Sequence, residues 1–334
     1  VAHQLYTSVV TAINQTDQCL RFSCPERSVS TAVYVLLYVC AAAVVLLTVC
    51  GNLLIIISVC HFKQLHTPTN MLILSLAVSD CLVGVFVIPV SLIWMIESCW
   101  IFSAVYCIYS ILTSYFLTTT SIFNVALIAV DRYFALSNPF LYSNTLSVST
   151  MCCIVLSNWF ILLAYNVALQ YFNGHFVSVV MCPGDCFFVL DEIWSLVDLL
   201  FTFVLPCAVI IILYVLVFVI ARKHATAIRD LNIHTKALKS TADSMKSERK
   251  AAKVLGILVS VFLGCLFPYF IYTVLGNVIE IEMGSFQKVL LLVYLNSSIN
   301  PVIYALFYPW FRRCVRLTLT LQIFNTDSAL MSVL

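Results

Sequence analysis

Seven apolar runs constrain this chain more than any other feature, lying near residues 32–59, 69–95, 104–135, 148–170, 192–221, 253–278 and 287–307. Each can cross about 30 Å of hydrocarbon, which takes about 20 residues as helix. In lipid only helices and closed barrels satisfy all of their own backbone hydrogen bonds, and these runs lack the period-two alternation of barrel strands. The expected fold class is therefore all-α: a seven-transmembrane helix bundle over residues 32–307, with a polar segment 1–31 before it and a tail 308–334 after it. With 62% hydrophobic and 10% charged residues in 334, the chain lies outside the range of water-soluble domains. A net charge of +2 gives no basis for a nucleic-acid partner. No inverted repeat and no paired nucleophile and base point to a transporter or an intramembrane enzyme.

Orientation follows from Lys and Arg, which concentrate in cytoplasmic loops. The gaps after spans 1, 3 and 5, together with the tail, hold Lys63, Arg132, nine residues from Arg222 to Lys253, and Arg312, Arg313 and Arg316: fourteen of seventeen. The expected placement is a plasma-membrane protein with its N-terminus outside and its C-terminus inside. Its start carries no basic-then-apolar signal, so span 1 is expected to direct insertion. Asn14, in Asn14-Gln15-Thr16, is a glycosylation sequon on the outer side, whereas Asn296-Ser297-Ser298 matches the pattern inside span 7, where no transfer could reach it.

Most of the fifteen cysteines lie within apolar runs and read as small core side chains. Those on the outer face sit where disulfides persist. The expected pairs are Cys107 with Cys186, and Cys182 with Cys24, which would lash the N-terminal segment over the mouth of the bundle; Cys19 and Cys99 are then left over.

Polar residues inside a membrane are costly, so the few present carry the functional information. In order they are Gly51-Asn52, LSLAVSD ending at Asp80, Asp131-Arg132-Tyr133, Trp159, Pro206 with Tyr214, Phe262 with Pro268, and Asn300-Pro301-Val302-Ile303-Tyr304. This ordered set resembles the rhodopsin-like G-protein-coupled receptors across nearly the whole chain. The stretch NSSINPVIYALFYPWFRRC is similar to the span-7 fingerprint of trace amine-associated receptors, departing at Cys314 where Ala is usual. The loop Cys182-Pro-Gly-Asp-Cys186 resembles that subfamily's paired cysteines. The resemblance implies an olfactory amine receptor rather than an enzyme. It also implies a stimulatory heterotrimeric G protein that raises cyclic AMP, with an arrestin and a receptor kinase as further partners.

Three layers of residues follow. In the middle, Asp80 with Ser121, Asn296, Ser297 and Asn300 is a carboxylate among neutral oxygens, which suits a hard cation, and the resemblance implies Na⁺ in the resting state. The alternative is a protonated Asp80 in a water-filled core. No other cofactor is expected. At the cytoplasmic edge Arg132 can be held by Asp131 and by Glu248 until span 6 moves outward and admits a G-protein helix, with Tyr133, Tyr214, Phe262, Pro268, Pro301 and Tyr304 in the activation machinery.

The outer layer holds Asp198, eight residues and about 12 Å before Pro206. No Lys or Arg lies in the outer half of any span except Lys288 at the rim, so this carboxylate awaits an external cation or, alternatively, a neighbouring hydroxyl. Amine receptors of the family usually anchor the ammonium by an Asp in span 3, and here that position is Ser114. The chain is similar to fish-type trace amine receptors that carry an Asp in span 5 instead, at the position of Asp198. The expected pocket combines Asp198 and Ser114 with Thr118, Thr119, Thr273, Tyr269, Phe270 and Tyr294, the aromatic rings serving either as cation–π walls or as ordinary packing. Glu97, Asp191, Glu192, Glu280 and Glu282 could form an outer vestibule for further ammonium groups. A lipid or peptide ligand indifferent to Asp198 is the competing reading; retinal is excluded because the matching Lys is Tyr294.

Two departures stand out. Leu266 replaces the Trp usual two residues before the span-6 Pro. After span 7, PWFRRCVRLTLTL reads as a short amphipathic interfacial helix on membrane lipid, with Cys314 as a palmitoyl site or a bilayer-facing free thiol.

Overall fold

The computed structural model describes residues 24, 30–172, 186, 192–231, 254, 256–272 and 283–324. Six helices among them are long and apolar enough to cross a membrane, and a shorter apolar helix covers Gly256–Tyr272. No strand occurs among the described residues. Span 1 is Thr31–His61, span 2 Pro68–Glu97, span 3 Ala104–Ser137, span 4 Val148–Phe172, span 5 Ile193–Lys223, span 6 Gly256–Tyr272 and span 7 Lys288–Phe307. The end of the bundle at which Cys24 lies is called upper below.

Local chemistry sets the starts and stops. Thr67 caps span 2 by accepting the Asn70 N–H, with Pro68 in the first turn, where its missing donor costs nothing. Ser103 caps span 3 in the same way, accepting from Tyr106 N at 3.2 Å. Span 3 ends at Asn138, because the residue before Pro139 is biased away from helical backbone. A short helix, Pro139–Thr145, then leads to span 4.

Span 1 shows how the bundle is patterned. Its buried residues Thr48, Asn52, Ile55, Ser58 and Val59 recur at helical spacing on one face, while Val33, Leu36, Val39 and Leu46 are exposed on others. In lipid, helices gain little by hiding apolar surface from each other, so small residues and hydrogen bonds hold them. Gly51 meets span 7 so closely that a Cβ there would lie 2.7 Å from Pro301 Cβ. Beside that contact Thr48 Oγ1 and Ser298 Oγ are 2.6 Å apart, and Asn52 Nδ2 donates to Ser297 O at 3.1 Å. Spans 2 and 3 are the most enclosed of the membrane-length helices described, and span 4 is joined to both by Trp159 Nε1 donating to Ser75 Oγ, which in turn donates to Asn124 Oδ1.

Spans 2 and 5 are interrupted by π-helical turns, Val83–Val87 just before Pro89 and Leu199–Val204 just before Pro206. Proline cannot donate to the preceding turn, and the wider turn accommodates the lost bond. In span 5 that turn directly follows Asp198, so it sets the direction in which the carboxylate points.

Helix Pro309–Leu319 follows span 7 with Pro309 in its first turn. Arg312 Nη1 donates to Leu306 O at 2.8 Å, satisfying a carbonyl at the end of span 7. Trp310, Phe311 and Cys314 face inward. Cys314 is fully buried, which corrects the expectation of a bilayer-facing thiol or an accessible acylation site, and burial pushes the thiol up to about 11.

Candidate functional site

A cavity of about 540 Å³ opens between spans 3, 5, 6 and 7 in the upper half of the bundle. Ser114, Tyr115, Thr118 and Thr119 line one side; Ser195, Asp198, Thr202 and Phe203 line another; Leu266, Tyr269, Val293 and Tyr294 close it from spans 6 and 7. It thus brings together Asp198, Ser114, Thr118, Thr119, Tyr269 and Tyr294. Phe270 is not on its wall: that ring stacks parallel on Phe203 at 5.1 Å, bracing spans 5 and 6 behind the lining. Thr273 lies outside the described residues.

Asp198 is 8% exposed. The Tyr165 hydroxyl donates to its Oδ1 at 3.0 Å, and Thr202 Oγ1 donates to its backbone carbonyl at 2.7 Å. It makes no ion pair among the described residues, where the salt bridge present is Arg132–Asp131. Ionised carboxylates are rarely left buried without a cation or several donors, so a phenol and the neighbouring Thr202 hydroxyl are sparse compensation. The cavity is of a size that encloses a small organic molecule.

Sequence reasoning missed Tyr115, Tyr165, Ser195 and Thr202. Tyr165 carried a legible signal, a phenol within the apolar run of span 4, but its partner is 33 residues away and only packing brings the two together. Its ring leans on Phe201 with centroids 4.5 Å apart, which holds the hydroxyl toward span 5.

Below the cavity, Asp80 is completely buried. Its Oδ1 accepts from Ser297 Oγ at 2.8 Å and lies 3.2 Å from Ser121 Oγ, and its Oδ2 accepts from Asn300 Nδ2 at 2.6 Å. Asn296 is 4% exposed and its Oδ1 has no partner. A second, very small cavity touches Ser121, Asn296 and Ser297 as well as Phe262 and Leu266.

At the lower end Arg132 Nη2 and Nε bind Asp131 Oδ2 at 2.6 and 3.0 Å. Thr69 Oγ1 donates to the same oxygen at 2.8 Å and also contacts Arg132, while the Tyr142 hydroxyl donates to Asp131 Oδ1 at 2.7 Å. Burial first, and then the Asp131 charge, push the Tyr142 phenol up to about 12, so it remains a donor. Thr69 and Tyr142 lie outside the motifs that drew attention to Asp131 and Arg132. Glu248 lies outside the described residues, so the described part of the latch joins spans 2 and 3 to each other and to the helix that follows span 3. Tyr133 packs beside Leu136 and Val217. The hydroxyls of Tyr214 and Tyr304 are buried without partners, and Pro268 and Pro301 lie within spans 6 and 7.

At the upper rim Cys107 and Cys186 are joined, with Cα atoms 5.8 Å apart. Cys24 is joined to Cys99, with Cα atoms 5.5 Å apart, which corrects the expected Cys24 to Cys182 pair. Tyr34 and Tyr38 of span 1 both donate to Glu97, holding the upper ends of spans 1 and 2 together, and Cys99 is two residues past that clamp. Glu97 is therefore occupied as a tether rather than free in a vestibule. Cys182, Asp191, Glu280, Glu282 and the Asn14 sequon lie outside the described residues.

Residues 51–304 match the 7 transmembrane receptor (rhodopsin family). Among curated proteins, the chain is 37% identical to trace amine-associated receptor 13c of Danio rerio, over 80% of this chain and 81% of that one. It is 36% identical to trace amine-associated receptor 4 of Rattus norvegicus, over 93% and 92%, and 34% identical to trace amine-associated receptor 5 of Homo sapiens, over 92% and 91%. These matches run through the spans that build the cavity, the Asp80 layer and the Asp131–Arg132 latch, and the chain belongs to the trace amine-associated receptors of the rhodopsin family, multi-pass membrane receptors rather than enzymes.

Proposed function

We propose that this receptor binds an amine from outside the cell through Asp198 and signals through a stimulatory G protein, raising cyclic AMP. The observation that carries the proposal is a carboxylate, buried on the wall of a 540 Å³ cavity, that makes no ion pair among the described residues. An ammonium supplies the missing charge, the Tyr269 and Tyr294 rings offer cation–π faces, and Ser114, Thr118 and Thr119 offer hydroxyls. The names of the relatives point the same way. With Lys and Arg concentrated at the other end, the cavity opens to the exterior of the plasma membrane and the Asp131–Arg132 latch faces the cytoplasm.

In this reading the latch is the resting state. Ligand-driven outward movement of span 6 frees Arg132 and opens a cleft for a G-protein helix, and the partnerless Tyr214 and Tyr304 hydroxyls then have a charged group to meet. An arrestin and a receptor kinase would act on the same face once it opens. The Asp80 layer fits a resting Na⁺: one carboxylate, the hydroxyls of Ser121 and Ser297 and an unpaired amide oxygen on Asn296 make an oxygen-rich set, while Asn300 Nδ2 donates to the carboxylate.

The test is a panel of mono-, di- and polyamines in a cyclic-AMP assay on wild type and Asp198→Asn. We expect the variant to reach the surface and to lose at least about a hundredfold in amine potency, since neutralising one partner of a buried pair costs about 2 to 5 kcal/mol. An unchanged dose response would instead favour a lipid or peptide ligand.

A further inference from the structure

The large cavity and the small one beneath it share five wall residues, Thr118, Ile122, Leu266, Val293 and Tyr294. Of these, Leu266 is the one that stands where a much larger ring is usual in the family, and at 2% exposed it is packed between the two spaces. The small cavity has polar groups at its lower rim: Ser121, Ser297 and Asn296. Ser121 and Ser297 are already engaged with Asp80, whereas the Asn296 Oδ1 acceptor is buried and has no partner. A buried acceptor left unpaired is costly, and a donor reaching it recovers that cost.

We propose that the small cavity is a second subsite of the ligand pocket, that Leu266 is the adjustable partition between the two, and that the preferred ligand is an elongated amine with a hydrogen-bond donor at its far end. This rests on the Asp198 reading. The ammonium sits at Asp198, the chain runs down span 3 past Thr118, and the terminal donor, a hydroxyl or a second ammonium, meets Asn296 Oδ1. Ser114 and Ser121 mark the two levels seven residues apart, about 10 Å along the helix. Leucine permits this where a fused ring would not, because its branched end can change rotamer and join the two spaces without moving the backbone.

The experiment compares n-alkylamines of four to eight carbons with their ω-hydroxy and ω-amino counterparts in a cyclic-AMP assay at fixed sodium concentration. It uses wild type, Leu266→Trp, Leu266→Phe and Asn296→Ala, with surface expression measured for each. In wild type, the terminal donor should raise potency about tenfold at one chain length and not at shorter ones, equivalent to one well-made hydrogen bond. The ratio should collapse toward one in each variant that reaches the surface, two of them by closing the partition and one by removing the acceptor. A hydroxyl and an amine gaining alike indicates hydrogen bonding alone; an amine gaining more indicates added attraction from Asp80. Absence of a donor-dependent gain in wild type, or an equal gain in an expressed Leu266→Trp or Leu266→Phe receptor, overturns the proposal. The Asp198→Asn control on butylamine keeps the two readings apart, because its loss of potency persists if only the lower subsite is wrong.

Discussion

The lower and upper ends of this bundle treat buried carboxylates in opposite ways. At the lower end Asp131, 3% exposed, is supplied by the Arg132 guanidinium, the Thr69 hydroxyl and the Tyr142 phenol. At the upper end Asp198, 8% exposed, has neutral hydroxyls of Tyr165 and Thr202 and an open cavity beside it. Burial costs both groups heavily unless charge and hydrogen bonds compensate. In the proposed function the lower carboxylate belongs to a closed latch that needs work to open and the upper one is half of a pair that an arriving cation completes, which gives ligand binding and release of the latch separate locations joined by span 3.

The largest effect is expected from moving the upper charge. The double variant Ser114→Asp, Asp198→Asn should regain at least about tenfold of the potency lost in Asp198→Asn alone, because the two positions share one cavity and a cation needs a carboxylate more than a particular wall. Dose–response curves of the single and double variants check this. No recovery in a well-expressed double variant would mean that direction, not charge alone, makes Asp198 the anchor.

A several-fold effect is expected at the latch. Thr69→Val combined with Tyr142→Phe removes two hydrogen bonds to a charged group, each contributing about 1.5 to 3 kcal/mol. Agonist-free cyclic AMP should rise several-fold, with a much smaller change in amine potency than Asp198→Asn produces. Unaltered basal signalling at normal surface density would show that the latch is carried by Arg132 and Asp131 without these donors.

A smaller shift, about two- to threefold lower potency, is expected for Tyr165→Phe, since the phenol aims the Asp198 carboxylate but brings no charge. A shift as large as that of Asp198→Asn would make Tyr165 a direct ligand contact. The smallest effect concerns closure of the lower end. A membrane-permeant maleimide at pH 7.5 should label wild type no more than Cys314→Ala, because that thiol is buried and its titration is pushed up to about 11. The reactive thiolate is therefore scarce below that pH and grows only as pH approaches it. Ready labelling of Cys314 at pH 7.5 would show that helix Pro309–Leu319 detaches from span 1.

The helix bundle and the identity of the intramembrane polar groups were legible in the sequence. Hydrocarbon imposes a length, a backbone hydrogen-bond rule and a charge penalty that every residue registers locally. That is why Asp80, Asp131, Arg132 and Asp198 could be singled out one by one. What each of them touches was not local. Tyr165 reaches Asp198 across 33 positions, Thr69 reaches Asp131 across 62 and Asn300 reaches Asp80 across 220, distances over which sequence pattern carries no register. The same limit explains the disulfide at Cys24. Cysteine spacing marks an outer group but not its pairing, and the Tyr34, Tyr38 and Glu97 clamp is what brings spans 1 and 2 together at Cys99. Phe270 lies off the cavity wall for a related reason: which side of span 6 faces the cavity depends on how that helix packs against span 5, where the Phe270 ring stacks on Phe203. The sequence by itself determined a membrane bundle with a carboxylate in span 5 eight residues before Pro206. The tertiary structure decided that this carboxylate is held by neutral hydroxyls, faces a cavity, and stands above a leucine floor, because those facts depend on how helices pack and not on what each helix contains.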